Sequence, residues 1–404
     1  MHESNQGDAQ EGTPPNPSAG PPPPAPADTP PLPPADDLTQ PFVAGPPVED
    51  ELELSLAAAQ GPPILRGLRI WFVLIGALGL LGILAGQAEM ALSMAMAGAF
   101  VAAHAADRDP FYRPLHLLLT GVIVAGGAAV FAALAIWLAT QSLPGEMRPV
   151  TVGIAGGGAV LCVLTAIRPL ADGLASAVFR TLRPNHVLRL GARIVFMLVL
   201  FVIPGWSVFP DLIDTLASRQ EPLLDTKQLI GSAVGLSMLA LGGVGYLVRR
   251  DARQAFERLG LRMPKPAHYV VVVLGVVGLY LLNVGMEAFQ RQVFPDLWEH
   301  DQRVNQMLVG GLGIGGGLLL GVCAGLGEEL SMRGALQPRL GLIATAFLFS
   351  ILHVQYSWVG ILTIFILGIT LGVIRDRTST TVAILVHAIY DMLAAFTAGV
   401  SGNP

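Results

Sequence analysis

Two adjacent carboxylates, Glu328 and Glu329, close a stretch of eighteen residues, Gly310–Gly327, that carries no charge. An arginine, Arg333, follows four positions after the second carboxylate. At about 3.6 residues per turn, Glu329 and Arg333 share a helix face and can pair, while Glu328 is turned by about 100° from its neighbour. One carboxylate therefore has a partner and the other is left free. Two histidines come later in apolar runs: His353 in FLFSILHVQ, one turn after Phe349, and His387 in ILVHAIYDML, one turn before Asp391. A lone histidine on an apolar face is usually a satisfied core residue. Two of them, with a free glutamate and an aspartate at i,i+4 on successive segments, are harder to assign to packing.

The chemistry that needs such a set is hydrolysis where water is scarce. A carboxylate takes a proton from a water molecule when desolvation brings its pKa toward neutrality. A histidine opposite it can orient that water or share a metal with it. The His387/Asp391 pair can serve the developing oxyanion, Asp391 either orienting His387 or donating as a neutral acid.

The elements around these residues are those of a membrane protein. Of 404 residues, 52% are hydrophobic and 13% charged, with a mean hydropathy of +0.60, whereas soluble domains carry about a quarter charged residues. Ionisable groups in membrane spans are costly and mark function by default. The two cysteines, Cys162 and Cys323, lie in apolar runs. That excludes a disulfide scaffold and a Cys-based zinc site and leaves both to packing. The net charge of −5 hides an asymmetry, because residues 1–65 hold ten Asp/Glu and no Lys/Arg. No basic surface for nucleic acid is present, and the N-terminus lacks the pattern of a cleavable signal peptide.

Residues 1–63 are acidic and Pro-rich, with PPPP at Pro21–Pro24 and PPLPP at Pro30–Pro34. Too little apolar surface is available there to offset ordering entropy, which predicts a disordered cytoplasmic tail with polyproline character. Apolar runs follow at about 68–86, 88–106, 115–139, 150–167, 190–208, 228–248, 268–288, 308–327, 341–356, 358–374 and 380–398. The expectation is an all-α, polytopic membrane helical bundle of about ten or eleven transmembrane helices. If every run crosses, most Lys/Arg residues lie on the side of the tail, with Arg148, Arg219, Lys227, Arg291 and Arg303 opposite. By the positive-inside rule the N-terminus is then cytoplasmic, and Glu328 lies near the cytoplasmic end of its helix. Residues 168–189 and 249–266 read as basic surface connections. Trp71, Trp137, Trp206, Trp298 and Trp358 fit interface anchors, and Glu89, Glu287 and His104 fit interfacial positions at segment ends. Nine glycines lie between Gly310 and Gly327, with Gly317, Gly321 and Gly325 at four-residue spacing. Such spacing lets backbones approach closely in lipid and predicts a helix at the centre of the bundle.

EELSMR, FSILH and HAIYD, in that order, resemble the three motifs EExxxR, FxxxH and HxxxN/D of the CPBP family of intramembrane proteases. That family includes the type II CAAX prenyl proteases and bacteriocin-related bacterial members. The resemblance covers roughly residues 250–398. It implies an intramembrane endopeptidase in which Glu328 is the general base, His353 its water-orienting partner, and His387 with Asp391 the oxyanion-stabilising or second ligand pair. Glu329 with Arg333 would be a supporting ion pair, and Phe349 completes the second motif. Where the family's eukaryotic enzymes tend to have Asn, this chain has Asp391. Two forms of the chemistry stay open: a divalent metal such as Zn held by Glu328, His353 and His387 with an open position for water, or a metal-free, glutamate-activated water. No HExxH is present.

The implied organisation is a tail (1–63), N-terminal transmembrane segments without an assigned role (64–248), a protease domain (249–398) and a short C-terminal tail (399–404). The implied partners are membrane lipids and a membrane-associated peptide or lipidated protein substrate, in a bacterial inner membrane. A non-proteolytic scaffold or bacteriocin-immunity protein on the same fold is a second class of reading. A transporter is a third, weakened because no inverted repeat is visible.

Overall fold

A computed structural model describes residues 64–140, 147–218, 225–309 and 312–401. The acidic Pro-rich tail and the last residues of the C-terminal tail lie outside them. Among the described residues the regular elements are helical, apart from an isolated bridge between Tyr246 and Arg250.

In chain order the helices are α1 (Ile64–Leu84), α2 (Ala88–Arg108), α3 (Arg113–Thr140), α4 (Met147–Leu164), α5 (Arg168–Phe179), α6 (His186–Ser218), α7 (Thr226–Gly243) and α8 (Ala252–Arg258). They continue as α9 (Pro266–Val293), α10 (Pro295–Val309), α11 (Gly313–Glu329), a π-helical segment (Leu330–Leu336), α12 (Gln337–Leu340), α13 (Leu342–Ile351), α14 (Trp358–Arg377) and α15 (Thr380–Ser401).

Eight helical stretches among the described residues are long and apolar enough to cross a membrane. A ninth arises if α4 and α5, bent by 107°, form one broken or re-entrant span. The expected count of ten or eleven is higher, for two reasons that the helices make plain. The run at 228–248 becomes α7, which opens on Thr226, Lys227 and Gln228 and is diluted by glycines. The run at 341–356 yields only the ten residues of α13, about 15 Å of helix against a hydrocarbon thickness of about 30 Å.

α7 packs against both α2 and α11. The approach to α2 is close, because a Cβ on Gly242 would meet the Ala97 carbonyl oxygen at 3.0 Å. Two expectations of interfacial residues change here. Trp71 is 1% exposed and donates its indole N–H to the Tyr246 carbonyl at 2.7 Å. His104 is buried, with Nε2 2.9 Å from the Gly243 carbonyl. Both side chains are drawn inward to meet carbonyls where α7 gives way to the 243–250 turn.

The glycine stripe of α11 seats that helix against α15. Added Cβ atoms would lie 3.1 Å from Ala395 Cβ at Gly317 and 2.9 Å from Ala388 Cβ at Gly325, and at Gly321 one would run into the Ala388 carbonyl oxygen. Gly327 faces the other way, 3.1 Å from Ala233 Cα of α7 by the same measure. α15 is backed in turn by α9 and α14 through Val272, Val276, Leu279, Leu367, Leu371 and Val386. In lipid such shape matching, rather than exclusion of water, holds helices together.

Gly321→Ala is therefore expected to destabilise the protein by about 1–3 kcal/mol through overpacking. Gly315→Ala, at a position with open space around it, should leave the melting temperature in detergent unchanged. Equal thermal midpoints for the two variants would contradict the packing described.

Candidate active site

The site forms where α11 gives way to the π-helical segment. π-Helices are rare and recur at functional positions, since the wider turn re-aims the side chains it carries. Here the segment is flanked by the two glutamates and contains Arg333. Ser331 folds back onto it, its hydroxyl donating to the carbonyls of Gly327 at 2.9 Å and Glu328 at 3.0 Å.

Glu329 is the hub. Its Oε2 lies 3.4 Å from Arg333 Nε, and its Oε1 accepts from His387 Nδ1 at 2.9 Å. The side chains of Glu329 and Arg333 are both 0% exposed. Arg333 also donates through Nη2 to the Gly368 carbonyl of α14 at 3.2 Å, and its guanidinium lies over the Phe349 ring of α13, 4.5 Å from the centroid. A buried charge is tolerated when it is paired and bonded in this way. The i,i+4 pairing read from the sequence is present, and the imidazole as second partner is an addition that spacing alone does not give.

His387 bridges two carboxylates, with Nδ1 on Glu329 and Nε2 3.4 Å from Asp391 Oδ2. Both ring nitrogens thus face acceptors, an arrangement that a doubly protonated imidazolium fulfils. His353 is held differently. Its Nδ1 is 2.9 Å from the Phe349 carbonyl, so Nδ1 carries the proton and Nε2 keeps its lone pair. The Phe349 ring separates the two imidazoles, at 5.0 Å from His353 and 6.1 Å from His387 between centroids.

Glu328 takes no part in the Glu329 network of hydrogen bonds and, among the described residues, forms no ion pair. It is near enough to His387, Glu329 and Arg333 to interact electrostatically, as is Asp391 with Glu328, His353 and His387. Exposure sorts these residues into two sets. Glu329, Arg333 and His387 are buried, while Glu328, His353 and Asp391 are half-buried. These contacts and interactions join the sequence-selected residues into one connected set, in which Glu329, Arg333 and His387 are the buried members.

A metal centre made of Glu328, His353 and His387 does not assemble in this arrangement. Among the described residues no three His, Cys, Asp or Glu side chains are grouped so as to hold an ion. The reason lies at His387, whose two nitrogens are both turned to carboxylates of the chain itself.

The structure defines a polytopic, all-helical membrane protein with a carboxylate–imidazole centre at the end of a glycine-packed helix. Over residues 311–393 the chain matches the family model described as type II CAAX prenyl endopeptidase Rce1-like. The matched segment contains Glu328, Glu329, Arg333, Phe349, His353, His387 and Asp391. No curated protein and no solved structure matches the chain.

Removing one partner of a buried ion pair costs about 3–5 kcal/mol. Arg333→Met should therefore lower the melting temperature and the yield of folded protein, with His387 left as the sole partner of Glu329. A melting temperature equal to that of the unaltered protein would count against the pairing.

Proposed function

We propose that the protein is an intramembrane endopeptidase that hydrolyses a peptide bond with a water molecule activated by Glu328. The observation that carries this reading is the division of labour between two adjacent carboxylates. Glu329 is sealed between Arg333 and His387, while Glu328 is half-buried without an ion pair among the described residues.

In the proposed reaction Glu328 accepts a proton from water as the oxygen attacks the scissile carbonyl carbon. His353 directs its Nε2 lone pair to the same water, its ring being fixed by the Phe349 carbonyl. The negative charge that develops on the carbonyl oxygen is stabilised through space by the positive charge of His387, whose two N–H groups stay on Glu329 and Asp391. A preorganised charge of this kind acts strongly because water is excluded and the group need not move. As the carbon–nitrogen bond breaks, the proton held by Glu328 passes to the leaving amine. Asp391, acting on His387 rather than on the substrate, fits this scheme as an ionised carboxylate, which explains how the position usually held by Asn works with Asp.

The substrate class that fits the family is the C-terminal segment of a CAAX-type lipidated protein or another membrane-associated peptide, cut near the cytoplasmic face. The setting is a bacterial inner membrane with the N-terminal tail in the cytoplasm. Residues 249–398 would supply the chemistry, and the preceding helices would support α11 through α7.

The test uses the full-length protein in lipid nanodiscs with a farnesylated CAAX peptide and its unprenylated counterpart. General-base catalysis contributes about 10²–10⁴-fold, so Glu328→Gln should lower cleavage by at least about 100-fold while leaving the melting temperature unchanged. Full cleavage by that variant would end the assignment of Glu328 as the base. No cleavage of either peptide by the unaltered protein would favour a non-proteolytic role for the fold.

A further inference from the structure

His353 is carried by an irregular stretch, residues 352–357, between α13 and α14. α13 ends after ten residues, and the stretch that follows has no helical ladder to take up its backbone hydrogen bonds. Backbone polar groups buried in protein need partners from elsewhere. Here they come mainly from α10, which lies outside the segment matched to the family model.

Asp301 of α10 is 6% exposed and its carboxylate is aimed at the end of this stretch. Oδ1 accepts from the Ser357 backbone N–H at 2.7 Å, and Oδ2 accepts from the Ser357 hydroxyl at 2.8 Å and from Gln290 Nε2 of α9 at 2.7 Å. Ser357 is also the N-cap of α14, its hydroxyl oxygen accepting from the Gly360 N–H at 3.2 Å. Gly360 leaves room for the acid, because a Cβ there would lie 2.8 Å from Asp301 Oδ2. Two further contacts from α10 grip the same stretch. His300 Nε2 donates to the Gln355 carbonyl at 3.0 Å, and the Tyr356 hydroxyl donates to Asn305 Oδ1 at 2.8 Å. The clamped residues connect back to His353 through a turn in which the Tyr356 N–H donates to the His353 carbonyl at 3.1 Å.

A buried carboxylate whose partners are neutral donors is an expensive way to cap one helix. Its cost is understandable if the stretch must hold one position. We infer that Asp301 is the positioning residue for His353: through Ser357 and the turn at Tyr356 it fixes the stretch that presents the imidazole to the Glu328 water. The inference rests on the endopeptidase reading for its catalytic half. Its structural half, that Asp301 immobilises residues 352–357, stands without it.

The test compares the full-length protein with Asp301→Ala and Asp301→Asn in nanodiscs, by two measurements. Hydrogen exchange of peptides covering 352–360 should rise at least tenfold in Asp301→Ala, with α11 and α15 unchanged. The second measurement is cleavage of the farnesylated CAAX peptide, with kcat expressed per folded molecule. It should fall at least tenfold in Asp301→Ala and by about threefold in Asp301→Asn, which keeps one acceptor for the Ser357 N–H, while KM stays within threefold. A purely structural residue would lower the folded fraction and leave kcat per folded molecule untouched. Unchanged exchange at 352–360 overturns the strap whatever the activity. Raised exchange with unchanged kcat overturns the positioning role. Raised exchange in a protein that cleaves neither prenylated nor unprenylated peptide upholds the strap and overturns the endopeptidase reading instead. If Asp301→Ala does not fold, the same criteria apply to Asp301→Asn at a threshold of about twofold.

Discussion

The carboxylate of Glu329, with no exposure to solvent and held between a guanidinium and an imidazole, is the constraint on which the rest of the site depends. An ionised group in such a place is stable only if its partners reach it with good geometry. Those partners come from different parts of the chain: Arg333 from the π-helical segment and His387 from α15. Arg333 adds the Gly368 carbonyl of α14 and the Phe349 ring of α13. Directly or through Arg333, this buried charge thus ties α11 to the π-helical segment, α13, α14 and α15, and the motifs EELSMR, FSILH and HAIYD each contribute a group in contact with another of the set.

That electrostatic tie needs a particular distance between α11 and α15, which glycine supplies. Gly325 stands one turn before Glu329, and the residue it touches, Ala388, is the neighbour of His387. Any larger residue at 325 would push the two helices apart beside the 2.9 Å contact between Glu329 and His387. The stripe of small residues and the ion pair are therefore one device, since van der Waals approach sets the separation at which the charges meet. On the opposite side Gly327 admits α7, so the helices before residue 249 bear on the site by fixing α11 from behind.

What could be read from the sequence was local. Glu329 with Arg333 and His387 with Asp391 are i,i+4 pairs, and both are in contact. The spacing of Gly317, Gly321 and Gly325 announced a close helix contact without naming α15 as the partner. The bond from Glu329 to His387 joins residues 58 positions apart, and no periodicity encodes it. The same holds for Asp301, which looks like an ordinary surface acid on a polar helix until Ser357 is brought against it. The run that becomes α7 read as a span from its apolar residues, while the polar first turn and glycines that dilute it are what lower its hydropathy. Trp71 and His104 were misjudged because a polar tip on an apolar helix satisfies either the membrane interface or a neighbouring carbonyl, and only the fold decides which.

The charges at the centre can be counted. In the proposed reaction, with all three carboxylates ionised, Arg333 and a doubly protonated His387 balance two of Glu328, Glu329 and Asp391. Glu329 touches both cations and Asp391 touches one, so the unbalanced charge falls on Glu328. In that reaction a water molecule next to the side chain neutralises it by giving up a proton as its oxygen attacks a carbonyl carbon. The same transfer moves negative charge onto the carbonyl oxygen, where the imidazolium of His387 can meet it. Under the proposed reaction the network therefore does more than hold helices together. By committing its cations to Glu329 and Asp391, it leaves the adjacent carboxylate as the group able to take up the proton.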